Sequence, residues 1–129
     1  MQEADIFASP HCSEGFGQTI AEAMAMGKIV IATDYGGSRD FLDARCGFPV
    51  RYRLCSLDRD HGHYTRDGGV WAQIDETHLG EAMIEASQLV TSGDTRLGDA
   101  ARHRINDLCS PAAVGATMHS SICRLLSAH

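Results

Sequence analysis

The period of the apolar positions changes along the chain, and each change marks an element. Ala4 to Ser9 is a short apolar run closed by Pro10, the pattern of a buried strand. From Phe16, the residues Phe16, Ile20, Ala23 and Met24 recur at helical spacing on one face, and Gly27 supplies a stop. Lys28 to Thr33 holds an unbroken apolar run, mostly β-branched, which predicts a strand covered on both faces. Gly36-Gly37 predicts a turn, with Ser38 capping a short helix to about Leu42. Strand character resumes over Phe48 to Leu54, where Arg51 and Arg53 alternate with Tyr52 and Leu54 and make one face polar.

Residues 55–74 read as a loop or hairpin: 55–69 lack periodicity, and Val70-Trp71-Ala72 is a brief apolar piece able to pair locally. Residues 75–129 read as a helical tail. Asp75 caps a helix striped with Leu79, Ala82, Met83, Ala86 and Val90, which Gly93-Asp94 breaks. A second helix carries Leu97, Ala101, Ile105 and Leu108 inward. Ser110-Pro111 restarts a third, faced with Val114, Met118, Ile122 and Leu125. Strands alternating with helices imply a parallel sheet with right-handed crossovers. The strands are few, where a doubly wound domain has about five or six. The fold class is therefore α/β: residues 1–129 form a single partial domain, the second half of an α/β unit, with its strand–helix–strand core in 1–54. The chain is expected to begin in mid-fold.

Composition narrows the partners. A length of 129 residues suits one domain, and 43% hydrophobic residues can supply a small core. A net charge of −6 argues against nucleic acid and anionic membranes, both of which attract basic surfaces. No apolar run approaches the roughly 20 residues that span a bilayer, and the N-terminus lacks a signal-peptide pattern. Five cysteines, odd in number and without a Cys-x-x-Cys pair, do not form a disulfide framework, so a cytoplasmic location is expected. His61-Gly62-His63 and His11-Cys12 lack the paired spacing of a structural zinc site. The former reads as a solvated loop, and neither a metal nor a cofactor is expected.

Chemistry concentrates in Ser13 to Gly27. Glu14 and Glu22 stand at the two ends of a helix opening whose free backbone N–H groups can receive an anion. That arrangement suits a phosphate-bearing ligand with hydroxyls on both sides, such as a nucleotide sugar. A plainer reading competes: Glu14 as a carboxylate favoured at a helix N-terminus, and Glu22 as an exposed helical glutamate. Gly36-Gly37-Ser38 serves equally as a donor of backbone N–H groups or as a tight turn. Trp71 reads as a packing residue, and His11 as a loop histidine or a catalytic group beside the motif.

The run Glu14-Gly15-Phe16-Gly17, Glu22-Ala23-Met24-Ala25, Gly27-Lys28-Ile29-Val30-Ile31-Ala32-Thr33 resembles the signature of the retaining glycosyltransferases of family 4, glycosyl transferases group 1, with the two-domain GT-B fold. Asp34-Tyr35-Gly36-Gly37-Ser38-Arg39-Asp40-Phe41 continues the likeness, and Gly69 to Asp75 is similar to one subset of that family. The resemblance implies the second half of a Rossmann-like GT-B C-terminal domain, transferring sugar without a protein-bound metal. It implies that Glu14, the catalytic-centre candidate, contacts donor-sugar hydroxyls and that Glu22 takes the ribose hydroxyls. Backbone N–H groups of Phe16, Gly17, Gln18 and Thr19 would approach the sugar or distal phosphate, and Gly15 and Gly17 would permit that approach. The family's Arg–Lys pair for the leaving diphosphate and its acceptor domain would lie before residue 1, and Lys28 does not replace that lysine. The implied partners are a nucleotide-diphospho-sugar donor and a missing N-terminal domain or parent chain, with self-association through an open sheet edge. Alone the fragment would be inactive; the alternative is a non-catalytic remnant or interaction module.

Overall fold

The computed structural model describes residues 3–59 and 67–127, so the expectation for His61-Gly62-His63 lies outside the described residues. The elements run β1 (Ile6–Ser9), α1 (Gln18–Ala25), β2 (Ile29–Thr33), a 3-10 turn (Gly37–Asp40), β3 (Phe48–Val50), β4 (Tyr52–Ser56), β5 (Val70–Ile74), α2 (Glu76–Ser92), α3 (Arg96–Cys109) and α4 (Pro111–Ser127). β1, β2 and β3 form a parallel sheet in that order, with Ile6 opposite Ile29 and Ile31 opposite Phe48. β4 and β5 form a separate antiparallel ribbon, Tyr52 opposite Ile74 and Ser56 opposite Val70. The fold is α/β: a short parallel sheet flanked by helices and followed by a helical tail.

The core sits on both faces of β2, all of whose residues are buried. Successive strand residues point to opposite faces, so Val30 and Ala32 join Ile20, Met24, Phe41, Ala101 and Ile105 on one side. Ile29 and Ile31 join Val50, Ala82 and Ala86 on the other. α1 ends in a double closure: Gly27 N–H donates to the Met24 carbonyl at 2.8 Å and Lys28 N–H to that of Ala23 at 3.0 Å. The Asp75 carboxylate caps α2 by accepting from His78 N–H at 3.0 Å. Ser110 Oγ accepts from Ala113 N–H at 3.3 Å ahead of α4.

The structure corrects the sequence reading in five places. β1 is only half covered, with Ala8 exposed, because it lies at the sheet edge and, among the described residues, pairs with β2 alone. Phe48 to Leu54 is not one strand. At Arg51 the backbone turns to the start of α2, its carbonyl accepting from Asp75 N–H at 2.8 Å and its N–H donating to His78 Nδ1 at 3.0 Å. Leu54 is exposed, so β4 has no clean apolar face. Ser38 is not a cap, since its hydroxyl donates back to the Tyr35 carbonyl at 3.5 Å. The apolar stripes also overreach. Phe16, Met83, Val90 and Leu108 are exposed, and so are Val114, Met118, Ile122 and Leu125 on α4, which buries no residue at all.

Candidate functional site

Because β1 and β2 are parallel, Ser9 and Thr33 end at the same edge of the sheet. Residues 10–17 leave the first strand and 34–36 the second, at the edge where open parallel sheets bind ligands. The two segments are pressed together, backbone against backbone. Gly37 N–H points to the Glu14 carbonyl at 3.5 Å, and a Cβ on Gly37 would overlap the Gly15 carbonyl and lie 2.8 Å from Phe16 Cα. Only glycine fits such an approach. The Phe16 ring seats on the buried Phe41 ring, centroids 5.3 Å apart.

The Glu14 carboxylate folds onto its own turn. Oε1 accepts from Gly15 N–H at 3.0 Å and from Gly17 N–H at 3.2 Å. Gly17, at φ 86°, turns the chain into α1, so the carboxylate stands at the positive end of that helix. Gln18 and Thr19 follow in the first turn, where a helix has no internal acceptor for N–H groups. Gln18 Nε2 donates to Glu22 Oε1 at 3.1 Å, and both side chains are exposed, away from buried Ile20, Ala23 and Met24. Glu14 is thus bonded to the Gly15 and Gly17 amides of its own turn, and Gln18 to Glu22 on α1, as two separate groups. Phe16 differs: its ring is engaged with Phe41.

The β4–β5 ribbon is joined to the same edge, which the sequence reading missed. Ala72 N–H donates to the Cys12 carbonyl at 2.8 Å, and the Tyr35 ring rests on Tyr52 with centroids 5.1 Å apart. No spacing rule links Tyr35 to Tyr52, so no sequence signal could have paired them. Arg39 is a cation at this edge, its Nε 3.2 Å from Asp34. Asp58-Arg59-Asp60 has Asp-x-Asp spacing, and Asp60 lies outside the described residues.

A cavity of about 670 Å³ between β3, α2 and the start of α3 contains none of the expected site residues. Its arginines are spoken for by neighbouring carboxylates. The hydrogen bond from Arg45 holds Asp43 down at about 2, and that from Arg96 does the same for Asp94. Burial pushes the Cys46 thiol up. Among the described residues, no group of three or more His, Cys, Asp or Glu side chains could hold a metal ion. None of the described helices is long and apolar enough to cross a membrane.

The arrangement places a helix opening and two turns at the carboxyl edge of a parallel sheet. Residues 1–54, which carry the whole Glu14-to-Glu22 segment, match the family model described as Glycosyl transferases group 1. That match supports a role in glycosyl transfer. A search of curated proteins found no match to the chain.

Proposed function

We propose that residues 9–37 are the donor half of a retaining, metal-independent GT-B glycosyltransferase site of family 4, and that the chain is a cytoplasmic fragment of such an enzyme. The carrying observation is the Glu14 carboxylate at the opening of α1, bonded to the Gly17 amide, with Gln18 and Glu22 on the exposed face of the helix that follows. In this reading the donor is a nucleotide-diphospho-sugar. Glu14 exchanges its bonds to Gly15 and Gly17 for sugar hydroxyls, and the freed N–H groups, with those of Phe16, Gln18 and Thr19, face the sugar or distal phosphate. Glu22 leaves Gln18 for the ribose hydroxyls. Transfer itself depends on holding donor and acceptor together and on neutralising the diphosphate. The cation at this edge, Arg39, is already paired with Asp34, so the parent chain or an N-terminal domain supplies the rest.

The test is titration of the full chain with UDP-glucose, GDP-mannose and ADP-glucose, followed by ¹⁵N NMR, beside an assay for nucleoside diphosphate release. At least one donor should bind weakly and shift Gly17, Gln18 and Thr19, with no turnover. Glu22→Ala removes a charge-assisted hydrogen bond worth about 1.5–3 kcal/mol, about 10- to 150-fold in affinity. Binding unchanged by both Glu14→Ala and Glu22→Ala would sink the reading, and steady turnover would sink its fragment part. A second reading, an interaction module that keeps the fold, is favoured by α4, whose apolar residues remain exposed. It predicts self-association in light scattering and no donor binding.

A further inference from the structure

His11, in the turn that follows β1, joins that turn to the one after β2. Its Nε2 lies 2.8 Å from the Tyr35 carbonyl, 24 positions along the chain. A carbonyl only accepts, so Nε2 carries the proton. Nδ1 faces Ser9 at the end of β1, 3.1 Å from its carbonyl and 3.3 Å from its hydroxyl; a neutral ring with its proton on Nε2 takes the hydroxyl as donor, and a doubly protonated ring gives to the carbonyl. The imidazole therefore spans from the last residue of β1 to the turn after β2, and is partly buried there. The same Tyr35 carbonyl also accepts from Ser38 Oγ at 3.5 Å. Beyond it, Gly36 and Gly37 press on the Glu14 and Gly15 backbone so closely that a Cβ on either would collide with a carbonyl.

From this geometry we infer that His11 is a positioning residue, one that holds the Glu14 turn against the 34–37 turn and so presents the Glu14 carboxylate and Gly17 amide in register for a donor. The inference rests on the donor-site reading for its ligand but not for its mechanics. Without the His11–Tyr35 bond, the polar contact between the turns among the described residues is the long hydrogen bond from Gly37 N–H to the Glu14 carbonyl, beside the glycine backbone packing and the Phe16 ring on Phe41. The turn that follows Ser9 is otherwise tied to β5, through Ala72 N–H to the Cys12 carbonyl, and not to the 34–37 turn.

The experiment compares wild type with His11→Ala, His11→Asn and His11→Gln, reading amide solvent exchange by NMR and UDP-glucose binding. The glutamine amide N–H can reach where Nε2 stood, whereas asparagine reaches only the Nδ1 position. Exchange at Gly17 and Gly37 should rise about tenfold in the Ala and Asn variants, as expected for local opening. Val30 and Ile31 in β2 should stay protected, and Gln should restore the site amides. UDP-glucose binding should fall in the same order. Unchanged exchange at Gly17 and Gly37 in His11→Ala would overturn the inference, as would rescue by Asn but not Gln. If His11→Ala does not fold, the Gln and Asn pair still decides. Loosened turns in a chain that binds no donor even as wild type would leave His11 its role and remove the donor-site reading. The reverse pattern would remove His11 alone.

Discussion

α1 and α4 both carry an apolar stripe, yet they end in opposite situations. α1 is eight residues long and buries Ile20, Ala21, Ala23 and Met24. α4 is seventeen residues long and buries none. The stripe on α1 lies over β2, with α3 and Phe41 closing around it, so its side chains have somewhere to go. α4 follows α3 and packs chiefly on it, leaving Val114, Met118, Ile122 and Leu125 outward. A helical period states that a face is apolar; only the neighbouring surface decides whether it is covered.

Truncation of one side chain in each helix should give the widest separation. Ile20→Ala opens space in a fully buried site and should cost about 2–5 kcal/mol. Met118→Ala, on the exposed face of α4, should stay within about 0.5 kcal/mol. Urea midpoints at constant m-value measure both. Comparable losses would mean that α4 is covered in solution, as it would be in a self-associated chain.

Glycine substitutions should separate the regions by sign. Gly37→Ala forces a methyl into the Gly15 carbonyl and Phe16 backbone, an overpacking that costs about 1–3 kcal/mol. Gly115→Ala meets nothing within 4 Å and lies inside α4, where alanine should stabilise by roughly 0.5–1 kcal/mol. Thermal and urea unfolding of the two variants test this. A neutral Gly37→Ala would show that the two turns of the site move apart more freely than their contact implies.

The same contrast explains what the sequence could disclose. Local signals were legible: the unbroken apolar run of β2, the Asp75 cap and the Ser110-Pro111 restart. Each depends on neighbours within a few residues. Features set by long-range partners were not. The exposure of β1 depends on its pairing, among the described residues, with β2 alone, and the break at Arg51 depends on bonds to Asp75 and His78. In the site, the Glu14 bonds to Gly15 and Gly17 are local, while the His11–Tyr35, Tyr35–Tyr52 and Cys12–Ala72 contacts join segments far apart in sequence. Apolar spacing carries no trace of these contacts. Hence the sequence supplies the local bonds around Glu14 but not the frame that holds its turn.

Acid should produce the smallest effect, and it too should divide the core-bearing region from the tail. Asp43 and Asp94 are held at about 2, against an ordinary 3.8, by hydrogen bonds from Arg45 and Arg96. Asp75 is lowered as well, chiefly by His78 N–H at the α2 N-terminus. Depressed carboxylates stabilise the folded state fully above their unfolded value and lose that contribution as pH falls through the folded one. Stability from these groups should therefore be constant above about pH 4 and decline from there towards pH 2. Arg45 and Arg96 are 80% and 90% exposed, so solvent screening keeps the change small. α4 contains no Asp or Glu and takes no part in it. Urea midpoints at pH 5, 4, 3 and 2.5 should fall slightly over the lower steps. The double variant Asp43→Asn, Asp94→Asn should start lower and decline less. Equal slopes in wild type and double variant would mean that other carboxylates govern the acid response.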